Sequence, residues 1–151
     1  MQTNPQNTAA SSLTDWASIV GRVGLAAIFL WSGYGKLVHM DGSVGYMKAY
    51  GLPAAELLIW PALVVELVAG AMLAVGFKAR WAALALALFT VPAMFIFHAY
   101  WSVPADQVLN QQIHFMKNLA IIGGLLSVFA HGSGRLGLDR VVLSDRLAIR
   151  S

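Results

Sequence analysis

Hydrophobic positions gather into four long runs along the chain. Residues 81–101 carry no formal charge and have a Trp at each end, the side chain that settles at the headgroup level. Residues 57–77 are broken only by Glu66, and residues 16–35 and 113–130 contain Arg22 and Lys117 respectively. A helix needs about 20 mostly apolar residues to cross the hydrocarbon. Backbone groups in lipid must be bonded within their own segment, and the period-two alternation of a membrane barrel is absent. The pattern predicts an all-α fold, an antiparallel four-transmembrane-helix bundle with spans at 16–35, 57–77, 81–101 and 113–130. The second and third spans are joined only by residues 78–80, which forces a hairpin. Between the first two spans, residues 44–50 are expected to form a short interfacial helix, ended by Gly51 and stopped by Pro53. Residues 1–15 are expected as a disordered polar N-terminus, 16–131 as the membrane domain, and 132–151 as a basic tail.

Composition sharpens this picture. Of 151 residues, 58% are hydrophobic and only 11% are charged, against about 25% in a soluble domain. Disordered chains are poor in apolar residues, so that class is excluded. The net charge of +3 is spread without a basic stripe, so nucleic acid is not an expected partner; the lipid bilayer is. With no cysteine, thiol relays and Cys-held metals are ruled out within the chain, and no metal site is expected from the histidine spacing. Four spans put Lys78, Arg80, Arg135, Arg140, Arg146 and Arg150 on one side and Lys36 and Lys48 on the other. That asymmetry predicts both termini in the cytoplasm. The polar start lacks a basic n-region and a small-residue cleavage site before Trp16, so the first helix is expected to be retained.

Charges inside spans are expensive and normally face a bundle interior. At a rise of about 1.5 Å per residue, Arg22 lies about 9 Å above an inner boundary at Trp16, and Glu66 about 16 Å above one at Phe77. Glu66 is therefore expected among cations, with Arg22 below it and Lys36 and Lys117 above. One reading is an Arg22–Glu66 interhelical clamp with outward-reaching lysines. The other is a buried polar pocket, open to the outer leaflet, that binds an anionic or carbonyl-bearing ligand. Pro61 and Pro92 predict kinks, and the pairs Gly70 with Ala74 and Ala83 with Ala87 predict close helix packing.

Several stretches together resemble the DoxX family of small bacterial integral membrane proteins: 22–37 (RVGLAAIFLWSGYGKL), 50–53, 65–67 with Gly70, 76–80, Phe97 with His98, 114–124 and 132–139. They run collinearly over about residues 20–140. The resemblance implies a four-helix protein of the bacterial inner membrane. Members are tied to a thiosulfate:quinone oxidoreductase, to oxidative stress, to thiol redox complexes and to resistance to quinones and catechols. The pocket residues that it carries over are Arg22, Lys36, Glu66, His98, His114, Lys117 and Asn118; catalytic residues are not assigned.

Three functions follow. The first is a quinone-linked redox or oxidative-stress subunit: the chain carries no recognisable dinucleotide fingerprint and no cofactor of its own, a quinone would bind the pocket, and a redox partner protein would supply electrons. The second is a non-enzymatic membrane anchor or assembly factor for a redox complex. The third is a small transporter component, which with four helices would need a homo-oligomer.

Overall fold

The computed structural model describes the backbone of residues 5–140 and the side chains of 12–140. Its elements run α1 (Pro5–Val38), α2 (Met40–Ala49), α3 (Ala55–Val64), a π-helical segment (Val65–Ala69), α4 (Gly70–Val75), α5 (Ala79–Phe97), a 3₁₀ turn (Tyr100–Ser102) and α6 (Ala105–His131). Among the described residues there are four helices long and apolar enough to cross a membrane: Ser12–Val38, Ala55–Val75, Ala79–Ser102 and Ala105–His131. The fold is an all-α, four-span bundle. One end carries α2 and the 3₁₀ turn and is called here the α2 end. The other carries the 76–79 turn and residues 132–140 and is the tail end.

Residues 5–15, expected to be disordered, continue the first helix instead. Ala9 and Ala10 favour helix propagation. The short helix after the first span begins at Met40, earlier than the apolar pattern suggested. It closes as expected at Gly51 (φ 76°), where the amides of Gly51 and Leu52 return to the carbonyls of Lys48 and Met47 at 2.9 and 3.1 Å. Residues 141–151, the rest of the expected basic tail, lie outside the described residues.

Two apolar clusters hold the bundle. The larger sits toward the tail end and joins Ala26, Phe29, Ala69, Leu73, Ala82, Ala83, Leu86, Ala87 and Leu125. Its alanines, with Gly70 pressed against Leu30, let the helix backbones approach closely, which is what drives association in lipid. The smaller cluster, Met47, Ala55, Ile59 and Leu63, seats α2 on α3.

The tail end is tied together by polar contacts. Asp139 accepts from the amides of Lys78 and Ala79 at 2.5 and 3.1 Å, capping α5 from 60 residues away. Arg22 Nη1 donates to the Ser133 carbonyl at 2.7 Å. Gly76 and Gly137 leave room for that guanidinium; a Cβ on either would collide with it.

Candidate functional site: a polar triad beneath a lipid-facing cavity

Glu66 sits in the one π-helical stretch among the described residues. Five residues upstream, Pro61 has no N–H for the carbonyl of Leu57, and the extra residue per turn of the π segment rotates the chain beyond it. Glu66, at the start of this segment, faces into the bundle, where its side chain is 4% exposed. On α1, Ser32 and Lys36 are one turn apart and share a face. Between them Gly33 meets the π segment: a Cβ there would lie 2.8 Å from Leu67 and 3.2 Å from Glu66 Cβ. That close approach brings Lys36 Nζ to 2.8 and 2.9 Å from the two Glu66 oxygens and 2.7 Å from Ser32 Oγ, which itself donates to Glu66 Oε1 at 3.0 Å.

Above the triad is a cavity of about 790 Å³. It lies between the two apolar clusters, and Phe29 of one and Met47 of the other both line it. The walls are mainly apolar, with Thr90, Asn118, His98, His39, Ser43 and Tyr46 as the polar groups besides the triad. Leu58 and Pro61 of the second span and Pro92 and Ile96 of α5 line the cavity and are exposed. The cavity therefore reaches the lipid-facing side between these spans. Both prolines that the sequence marked as kinks stand at this opening.

The cavity's rim toward the α2 end is aromatic. Tyr46 packs on Tyr50 and Phe97 with ring centres 4.8 and 5.4 Å apart. Burial, and then the hydrogen bond and charge of Tyr50, push the Tyr46 phenol above its ordinary value. His98 stacks on His114 at 5.0 Å with planes 15° apart. His98 Nδ1 lies 2.9 Å from Gln111 Oε1, and Gln111 Nε2 reaches Tyr50 Oη at 3.5 Å.

The sequence-derived pocket residues therefore separate. Lys36, Glu66, His98 and Asn118 line one cavity. His114 stands behind His98. Arg22 does not meet Glu66 and belongs to the tail-end latch. Trp16 and Phe77 are not level, because Gly76 lies against the Arg22 guanidinium. The second span thus ends opposite Arg22, six residues or about 9 Å deeper into α1. Glu66 is level with Ser32–Lys36, about 15 Å or more along α1 from Arg22. Lys117 is exposed and does not line the cavity; successive helix residues differ by about 100°, so the wall takes Asn118 and leaves Lys117 outside. Ser32 and Thr90 were not anticipated. Ser32 had one readable signal, its i, i+4 spacing to Lys36.

A model of the DoxX family matches residues 17–99. The chain is 33% identical to inner membrane protein YphA of Escherichia coli (strain K12) over 81% of its own length and 87% of that protein. It is 32% identical to inner membrane protein YqjF of the same organism over 86% and 95% of the two chains. It also matches a Surfeit locus protein 4 homolog of Schizosaccharomyces pombe, 34% identical over 80% of this chain and 36% of that longer protein. No solved structure matches it significantly. The family match and the four spans agree with the collinear motifs read in the sequence: this chain belongs to the DoxX family and is a multi-pass protein of the inner membrane.

Proposed function

We propose that this protein is a quinone-linked membrane subunit whose cavity binds a lipid-soluble, ring-bearing ligand of the quinone class. One observation carries the reading: a charged, hydrogen-bonded triad lies under an otherwise apolar cavity that reaches the lipid between two proline-kinked spans. An apolar ring with polar edges partitions into the bilayer, enters sideways and places its polar atoms against the few polar side chains. In this reading the electrons come from a partner protein, because the chain has no thiol with which to relay them. The tail end, rich in Lys and Arg, faces the cytoplasm, so the cavity serves the outer half of the bilayer.

The test is photo-crosslinking in lipid nanodiscs with an azido-ubiquinone, followed by peptide mapping. The expected label falls on the stretches 58–66 and 89–98 and is competed by unlabelled ubiquinone. Label that is not competed, or that is scattered over the lipid-facing surfaces of α1 and α6, overturns the proposal.

A further inference from the structure

If the ligand is of the quinone class, the hydrogen-bonding groups left open in the cavity bear on its redox form. An ammonium has three protons to give, a hydroxyl one. Lys36 donates its three to Ser32 Oγ, Glu66 Oε1 and Glu66 Oε2. Ser32 donates to Glu66 Oε1, Thr90 to the Leu86 carbonyl at 2.7 Å, and Ser43 to the His39 carbonyl at 2.9 Å. The donors of these four cavity-lining side chains are all committed within the protein. Acceptors are not. Glu66 Oε1 takes two hydrogen bonds, while Oε2 takes only the one from Lys36, and a carboxylate oxygen has room for two. At the rim, Gln111 directs its Nε2 to Tyr50 and its Oε1 to His98 Nδ1. In the neutral tautomer that matches this contact, with the proton on Nδ1, Nε2 is the ring's acceptor.

A quinone presents carbonyl oxygens and needs donors. Its two-electron-reduced form presents hydroxyls and needs acceptors. We infer that the cavity selects the hydroxyl form, the quinol, with Glu66 Oε2 and His98 Nε2 as the acceptors for its two hydroxyls. Asn118, whose amide offers both roles, also lines the cavity and favours neither form.

The experiment is equilibrium binding to the full chain in nanodiscs, under anaerobic conditions, using ubiquinone-1 and chemically reduced ubiquinol-1. Ubiquinol-1 is expected to bind at least about tenfold more tightly, the effect of one hydrogen bond to a charged acceptor. The double variant Lys36→Met with Glu66→Gln removes both charges together and supplies an amide donor; in it the ratio is expected to fall to near one. His98→Leu, which leaves the triad intact, is expected to reduce the ratio by a smaller factor. Equal binding of the two forms, or tighter quinone binding, overturns the selection while leaving a quinone-class site in place. A preference that persists in both variants overturns the assignment of acceptors. Binding of neither form overturns this inference together with the proposed function.

Discussion

Lys36 Nζ faces Glu66 squarely, 2.8 Å from one carboxylate oxygen and 2.9 Å from the other, with Glu66 almost fully enclosed and Lys36 about one quarter exposed. Removing one partner from such a pair strands a charge in a medium that cannot solvate it. Lys36→Met is therefore expected to lower stability by about 3–5 kcal/mol. Pairing it with Glu66→Gln removes both charges and is expected to recover most of the loss. Ser32→Ala keeps the pair and deletes one hydroxyl, for about 1 kcal/mol. Thermal unfolding in detergent, arranged as a double-mutant cycle, measures the coupling directly. A single-mutant loss below about 1 kcal/mol would contradict a tightly coupled pair.

At the opposite end of the bundle, Asp139 has two tasks. Its oxygens accept from the first amides of α5, and its charge acts on Arg22. Asp139→Asn keeps an acceptor and removes the charge, whereas Asp139→Ala removes both. The alanine variant is expected to cost about 1–2 kcal/mol and the asparagine variant less. Hydrogen exchange should show the loss first in the amides of Lys78 and Ala79. If the two variants are equally unstable, the electrostatic role dominates and capping is minor.

The four spans were legible because twenty apolar residues in a row have few other uses, and Glu66 stood out because a lone carboxylate in a span needs a reason. Which cation it meets was not legible. That depends on where each helix starts relative to the next, and α1 begins about three turns before the apolar pattern does. It depends also on helix rotation, which the π segment changes locally without any hydropathy signal. Gly33 illustrates the limit: in sequence it is one glycine among 14, and only its contact with Leu67 shows that it sets the spacing of the triad. The cavity itself was inferred in kind, as a polar pocket within the bundle, but with Arg22 and Lys117 in place of Ser32 and Thr90.

Tyr46 lies on α2, outside the spans, in a three-ring cluster with Tyr50 and Phe97. Its phenol holds its proton to higher pH than a free tyrosine, because burial disfavours the phenolate and Tyr50 adds to the effect. In the unfolded chain the same group ionises near pH 10. The unfolded state therefore releases a proton first, and stability is expected to be unaffected below about pH 9 and to fall as pH rises past about 10. Tyr46→Phe should flatten that alkaline fall. Melting temperatures of both proteins across this range provide the comparison, and parallel curves would remove Tyr46 as the cause.

Gly33 and Gly24 provide a matched pair of probes on one helix. Both are glycines in the interior of α1, so alanine improves helix propensity at each by up to about 1 kcal/mol. They differ in what the added methyl meets. At Gly24 nothing lies within 4 Å, whereas at Gly33 the new atom would press on Leu67 at 2.8 Å and Glu66 Cβ at 3.2 Å. Gly24→Ala is therefore expected to be neutral or slightly stabilising. Gly33→Ala must move Leu67 or push α1 away from the π segment, and overpacking of this kind costs about 1–3 kcal/mol. Gly33→Val should cost more, because its branched side chain cannot turn away from the contact. A helix displaced here also stretches the Lys36–Glu66 contact, so the Gly33 variants should weaken ligand binding in the cavity, while Gly24→Ala should not. Equal stability and equal binding for the two alanine variants would mean that the approach of α1 to the π segment does not set the geometry of the triad.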